Sequence, residues 1–291
     1  MNYSQVIREQ IQQGVIVCPK SHKKLKIVAK SLLSPAKKYS YHANHVPILI
    51  TDSKLLKLYA TQSKRMNFEY TSHVQKIKNN LFNKIRSYDY RTKHSLNAEQ
   101  SITKNLNRDA VCVSIGGGPV RTHEQFINLN IGLFPNVDIV GDGHQLPYAN
   151  SSVDAVYSNA VFEHLHSPDL AAKEMFRVMK KGAKAYVSTP FMQSYHGYPN
   201  HYQNFTVSGH TKLFERQGFK VLDSGCCVGP TTAVRFLIAK YLLNYLPKPI
   251  NYIARLFWEP ISLLLGPLDL LLRNKDTAHM MASTTYVLLE K

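Results

Sequence analysis

Three consecutive glycines, Gly116, Gly117 and Gly118, follow an apolar run in "VCVSIGGGPVRT", residues 111–122. A strand that ends in bare backbone lets a ligand approach without obstruction by Cβ atoms. Ligands of open α/β sheets sit at such carboxyl ends, where the strand order switches. Two familiar loops are excluded. No Lys-Ser/Thr pair follows the glycines, so the loop does not cradle a nucleoside triphosphate, and the spacing is not the G-x-G-x-x-G of a dinucleotide fold. Only 11 residues, 116–126, separate this run from the next, "INLNI". A parallel crossover takes about a dozen, so the first helix is expected to be very short or absent.

The elements that must carry the glycines follow from the texture of the chain. Strand-like runs are "AVCVSI", "INLNI", "VDIVGD", "VDAVYSN", "KAYVSTP" and "FKVLDSG". Between the later ones lie helical stretches, "PDLAAKEMFRVMKK" and "TVSGHTKLFERQG". Strands alternating with helices predict a mostly parallel sheet. Ser167-Pro168 starts the first of these helices as a cap would, and Gly182 is its expected stop. Leu170, Met175, Val178 and Met179 are its expected core face, and Glu174 and Arg177 an i,i+3 ion pair. "MASTTYVLLEK" at the end reads as a closing edge strand.

Charge divides the chain. Residues 1–108 hold 20 Lys/Arg against 5 Asp/Glu, and residues 109–291 hold 16 against 14, within a net charge of +17. A basic front half suits an anionic partner such as membrane lipid, nucleic acid or an acidic polymer, or simply a solvated face. Cys18, Cys112, Cys226 and Cys227 make no disulfide framework and fit a reduced, cytosolic setting. No uncharged apolar stretch reaches the roughly 18 residues needed to span a bilayer.

The segment 137–190 carries linked signals: Asp142, "LPY" at 146–148, "VDAV" at 153–156, Glu163-His164, and "EMFRVMKKGA" at 174–183. In this order they resemble the class I S-adenosylmethionine-dependent methyltransferases of the type 11 group, over about residues 110–225. The resemblance implies a Rossmann-like α/β fold and S-adenosylmethionine as cofactor. It implies that Gly116, Gly117 and Gly118 face the cofactor, and that Asp142 accepts a hydrogen bond from the adenine amino group. The backbone around Gly143, His144 and Gln145 would read the ring edge, and Asn159 would end a strand facing the same cleft. Two departures stand out. Ser114 and Asn130 occupy places where the family usually has acidic residues, the second of them binding the ribose hydroxyls. Asn130 can still bond a hydroxyl, without charge assistance. Weaker cofactor binding, or a catalytically silent descendant of the fold, follows from these two changes.

After the fifth strand, "TPFMQSYHGYPNHYQNFT" resembles a subset of these enzymes with the pattern "PF-----HGYP-DY-RFT", with His201 and Asn204 replacing the acidic and basic residues. Methyl transfer needs alignment above all. An oxygen acceptor also needs a base, and histidine titrates in the suitable range. His196 is the expected base, with His201 and His164 as alternatives.

The expected organisation has three parts. Residues 1–53 form a small β module, with strands in "VIVC", "KKYSY" and "VPILIT". It resembles a zinc-ribbon domain but keeps only Cys18 and His22 where four ligands are needed, so no metal is expected. Residues 54–108 form a basic helical linker, with Val74, Ile77, Leu81 and Ile85 at helical spacing. Residues 109–291 form the methyltransferase domain, including a helical lid over 230–277 and a last strand over 280–290. The lid's outer face suits peripheral contact with an anionic membrane. The expected enzyme is cytosolic or membrane-peripheral and methylates an oxygen, less so a nitrogen, of a small molecule or glycan/lipid precursor. RNA methylation along the basic front half is the alternative, though no RNA-binding motif and no Asn/Asp-Pro-Pro-Tyr signature is present.

Overall fold

The computed structural model describes residues 3–28, 31–35, 37–41, 46–55, 57, 91–197 and 200–291. Most of the basic linker, with Val74, Ile77, Leu81 and Ile85, lies outside the described residues. The elements run α1 (Tyr3–Gln13), β1 (Lys26–Val28), β2 (Ser31–Leu33), β3 (Lys38–Tyr41), β4 (Pro47–Leu49), α2 (Lys93–Ser101), β5 (Cys112–Ile115), β6 (Phe126–Asn130), β7 (Ile139–Gly141) and β8 (Val153–Asn159). There follow α3 (Pro168–Val178), β9 (Met179–Pro190), α4 (Val207–Glu215), β10 (Lys220–Val228), α5 (Pro230–Tyr245), α6 (Ile250–Leu265), α7 (Asp269–Leu272) and β11 (Thr284–Glu290).

Among the described residues, the eleven strands join one sheet in the order β1-β2-β3-β4-β7-β6-β5-β8-β9-β11-β10. From β4 to β9 the neighbours are parallel, and β11 runs antiparallel to both β9 and β10. Strand order reverses at β5, which has β6 on one side and β8 on the other. That reversal opens a crevice at the carboxyl ends. Parallel strands buried on both faces read as continuous apolar runs, and all four residues of β5 are buried. The central part of the fold is the mostly parallel α/β sheet expected from the sequence.

Several elements differ from the sequence expectations. The last strand is not an edge: β11 lies between β9 and β10, which leaves β10 outermost. The helix α3 stops at Val178 rather than Gly182, because buried Met179 turns extended and pairs with Val153 at the head of β9. Gly182 instead takes a positive φ of 78° within β9, where its N–H bonds the Lys291 carbonyl. Met175, Val178 and Met179 are buried as expected, but Leu170 is 52% exposed. It sits in the first turn, off the stripe formed by Ala171, Ala172 and Met175. Glu174 and Arg177 do pair, and together they also hold the 146–150 turn through the Leu146 N–H, the Leu146 and Tyr148 carbonyls and Asn150 Oδ1.

No helix connects β5 to β6. Side-chain bonds stand in for one. Arg121 donates to the Phe126 carbonyl at 2.7 Å and to both oxygens of Asp138 at 2.9 Å, and Asp138 accepts the Asn128 N–H. Asn136 ties back to the Pro119 carbonyl at 2.7 Å.

In the front module "VIVC" is no strand. Ile16 and Val17 form isolated bridges to Tyr148 and Lys24. The Val17 N–H bonds the Pro147 carbonyl, and the Ala149 N–H bonds that of Val15. These residues strap the module to the segment that follows Asp142. Leu25, Leu32, Tyr39 and Leu49 belong to the same buried cluster as the central sheet. All four cysteines are free and buried.

His210 on α4 is fully buried, with Nδ1 3.2 Å from Thr285 Oγ1 and no partner for Nε2. Burial pushes its pKa down to about 3, below the roughly 6.5 of an exposed histidine. The native state therefore refuses a proton that the unfolded chain accepts, so stability is whole above about pH 6.5 and is lost as pH falls towards 3. Between about pH 7 and pH 5 this one group should remove about 2 kcal/mol. Urea titrations of wild type and His210→Gln should show that difference in acid slope; equal slopes would refute it.

Candidate active site

The cavity at the strand-order reversal has a volume of about 330 Å³, within the range of small-ligand sites. Its wall is built from the ends of β5, β6, β7 and β8. Gly116 and Gly118 supply bare backbone there, at φ of 80° and 104°. A Cβ on Gly116 would stand 2.1 Å from Val161 Cγ2, so only glycine fits. Gly117 does not line the cavity. It faces the other way, where a Cβ would stand 2.5 Å from Asn128 Oδ1 and 2.8 Å from Ser114 Oγ. Ser114 is thus part of the packing behind the loop.

Asn130 reaches the cavity wall with its amide already engaged. Nδ2 donates to the Gly117 carbonyl at 3.2 Å, and Oδ1 accepts the Gly132 N–H at 2.9 Å. A carboxylate could not donate to Gly117, which gives the Asn a physical reason. One N–H and one lone pair stay available for a ligand hydroxyl.

Asp142 stands at the end of β7 and lines the cavity with Gly143 and His144. Its Oδ1 accepts both the His144 backbone N–H at 2.9 Å and the His144 ring Nδ1–H at 2.7 Å. His144 Nε2 lies 2.9 Å from His166 Nδ1, which extends the chain of bonds. Burial raises the Asp142 pKa, but the His144 bonds and the nearby His166 outweigh it and hold the carboxyl below its usual value. The carboxylate is therefore ionised at neutral pH, and no bond to Oδ2 is formed among the described residues.

A second polar cluster borders the same cavity. After β8, Ala160 takes a left-handed φ of 54°, and its N–H bonds the Ser188 carbonyl. This bend turns the short 3₁₀ helix Phe162–His164 inward. Glu163 is fully buried, with Oε1 3.6 Å from His164 Nε2 and 3.7 Å from His196 Nε2. The Glu163 carboxylate raises the His196 pKa, against a smaller opposing effect of burial. His201 packs beside His196, with ring centroids 4.4 Å apart and the planes tilted by 59°. Its Nδ1 accepts the His196 N–H, and its Nε2 donates to Asn204 Oδ1 at 2.6 Å, so both ring nitrogens are spent on holding the segment.

Of the residues singled out in the sequence, Gly116, Gly118, Asn130, Asp142, Gly143, His144 and His164 meet at one cavity. His196 and His201 join through His164. Asn159 is brought to neither group: it is exposed, with Oδ1 held by Ser188 Oγ at 2.6 Å. No residue of 230–277 lines the cavity. Leu55, His166 and Tyr202 do, and sequence reasoning did not place them there. Glu163 was read only as part of a motif. The "EHLH" spacing at 163–166 was the available signal for both Glu163 and His166.

Residues 104–187 match the family model described as "Methyltransferase domain". A protein of Mycolicibacterium smegmatis named "Probable S-adenosylmethionine-dependent methyltransferase" is 34% identical over 98 residues, covering 31% of this chain. The chain spans only 38% of that relative's length. Similar solved structures include an S-adenosylmethionine-dependent methyltransferase of Thermotoga maritima (16% identity, TM-score 0.42, 78% of this chain and 99% of that one). Another is a phosphoethanolamine N-methyltransferase of Haemonchus contortus in complex with S-adenosyl-L-methionine (11% identity, TM-score 0.42, 68% and 52%). The family match covers residues 104–187, the stretch from just before β5 through most of β9. S-adenosylmethionine fits the residues present, since Gly116 and Gly118 set bare backbone on the cavity wall and Asp142 presents an ionised carboxylate.

If Asp142 grips the purine, Asp142→Ala should weaken S-adenosylmethionine binding about 10- to 100-fold, the worth of a hydrogen bond to a charged group. Isothermal calorimetry measures this directly, and unchanged affinity would remove Asp142 from the site.

Proposed function

We propose that this chain methylates an oxygen of a small molecule or of a glycan or lipid precursor. The observation that carries the reading is His164, which belongs both to the cofactor cavity and to the Glu163–His196 cluster. When bound, S-adenosylmethionine would supply an electrophilic sulfonium methyl, with its sulfur as the leaving group that would take the carbon–sulfur electron pair. The chain's own residues do the rest. Gly116 and Gly118 let the ligand lie close to backbone, Asp142 and Asn130 orient it, and Ala160 turns the polar cluster towards the cavity mouth. The cluster's part is to receive the acceptor hydroxyl and help its proton leave, which a hydroxyl must lose to become a good nucleophile.

The test is methyl transfer from radiolabelled cofactor into extract fractionated into small molecules, lipid, glycan, RNA and protein. Label in the first three classes supports this reading. Label in RNA would give the basic front half that role instead. Cofactor binding without any transfer would point to a silent scaffold.

The α5–α6 hairpin favours work at a membrane surface. Leu256, Phe257 and Leu264 on α6, with Leu271 on the following α7, are about 70–80% exposed, a cluster of bare apolar side chains of the kind that marks an interaction surface. Lys240, Lys248 and Lys275 lie in or beside these helices, and the whole chain is strongly basic. No described helix is long and apolar enough to cross a membrane. We therefore place the hairpin on an anionic lipid surface, inserted to interfacial depth. Sedimentation with phosphatidylglycerol vesicles should retain the protein, and Leu256→Glu with Leu264→Glu should weaken retention at least about tenfold. Equal retention of the variant would refute the assignment.

A further inference from the structure

Neither carboxylate oxygen of Glu163 has a hydrogen-bond partner among the described residues, although the side chain is fully buried. A lone buried carboxylate is unfavourable unless it is paired or coordinates a metal. Its nearest polar neighbours are His164 Nε2 at 3.6 Å and His196 Nε2 at 3.7 Å, both too far for hydrogen bonds. The opposite ring atoms fix the tautomers. His164 Nδ1 lies 2.7 Å from the Asn200 carbonyl oxygen, and His196 Nδ1 lies 3.0 Å from that of Ser194. A carbonyl only accepts, so each Nδ1 carries hydrogen, and each neutral ring presents an Nε2 lone pair.

Three Lewis-basic atoms thus converge, all within 4.8 Å of one another. A cation relieves their mutual repulsion. The spacing suits one, because ligand atoms around a tetrahedral ion with bonds of about 2.1 Å stand about 3.4 Å apart. Metal-binding histidines also donate their second ring nitrogen to a carbonyl or carboxylate, as both do here.

We propose that Glu163, His164 and His196 form a site for one divalent transition-metal ion at the mouth of the cofactor cavity. Two imidazoles and a carboxylate leave coordination positions open. His164 lines the cavity, so an open position adjoins the space an acceptor enters. Glu163 and His164 are adjacent but the third ligand, His196, lies 32 residues on, a spacing that gives no metal-site signal in the sequence. Ion binding stands on the geometry alone; its role in catalysis rests on the methyl-transfer reading. In that role the acceptor hydroxyl binds the ion, which lowers its pKa. The proton leaves to solvent, and the oxygen keeps the electron pair that bonds the methyl carbon. One proton is released for each methyl transferred.

Tag-free, chelator-treated full-length chain titrated with Co²⁺ near neutral pH tests the site without cofactor or acceptor. One equivalent should bind with visible ligand-field bands. Glu163→Gln and His196→Ala should each weaken binding by more than about 100-fold, beyond the loss caused by a supporting residue. His196 is half-exposed, so its variant should fold, and circular dichroism checks that it does. Circular dichroism of metal-free Glu163→Gln makes the same check for that variant. Absence of bands at millimolar Co²⁺, or bands unchanged in His196→Ala, would overturn the site. S-adenosylmethionine affinity measured on the same samples separates the two readings: cofactor binding without Co²⁺ binding sinks the ion alone.

Discussion

The buried pair of Arg121 and Asp138 is the constraint on which the cavity depends. Both side chains are about nine-tenths buried. Ordinarily a helix would carry the chain from β5 back to β6 and hold the glycine loop by its own backbone bonds. Here about ten residues must make that return without one. Arg121 reaches from the loop to the Phe126 carbonyl at the head of β6, and Asp138 ties the same guanidinium to β6 through the Asn128 N–H. Burial raises the Asp138 pKa, and the Asn128 and Arg121 bonds oppose it. Breaking such a pair leaves an uncompensated charge in the interior, which is far worse than never having built it. The asparagines at 128, 130 and 136 complete the brace, and each donates to a carbonyl of this loop or the next. Replacing an acid by Asn130 is then part of the same solution. It trades a ribose-binding charge for a donor that the helix-free loop requires.

The cofactor half of the site was legible because its signals are local. A strand ending in glycines, a strand ending in Asp142 and a short connection between them are each contiguous in sequence, and a parallel sheet brings their ends together by rule. Legibility failed where tertiary contacts overrode local preference. Met179 is a good helix former that left α3 because β9 needed it beside Val153. Leu170 is apolar yet exposed, since its place in the first turn of α3 points off the buried stripe. "VIVC" has strong strand propensity but makes only bridges, as its partners are turns and not a strand. The Glu163 cluster was the least legible. Its members come from residues 163, 164 and 196, and nothing in their spacing predicts that a left-handed Ala160 folds the first two against the third.

Glu163 also shows how the two halves are coupled. Val161 packs where a Cβ on Gly116 would be, so the cofactor loop and the turn leading to Glu163 share one surface. The 3₁₀ turn is pinned from outside as well: Gln203 Nε2 donates to the Phe162 and Leu165 carbonyls, and the Tyr202 N–H bonds the Glu163 carbonyl. The segment carrying His196 and His201 is therefore held to the turn by backbone bonds and not only by ring contacts. A fold selected for stability alone would replace a buried carboxylate that has no donor. Surrounding it with oriented histidine nitrogens and bracing that arrangement from two sides is intelligible if the carboxylate has something to hold.

The front module takes part in the same geometry. β4 pairs in parallel with β7, in register at Ile48–Val140 and Leu49–Gly141, so it extends the sheet on the side that ends in Asp142. Thr51 Oγ1 donates to Gln145 Oε1 at 2.7 Å, and Lys37 Nζ holds the Ile50 and Thr51 carbonyls. Four residues on, Leu55 enters the cavity wall. Without the module, β7 would be an edge strand of three residues carrying the ionised Asp142 on an unsupported end. With it, β7 is bonded on both sides, and the Asp142–His144–His166 chain has a fixed base. The module is thus an extension of the central sheet and shares its buried core. Strand pairing holds it there, with Cys18 Sγ packed 3.2 Å from the Tyr39 hydroxyl inside it.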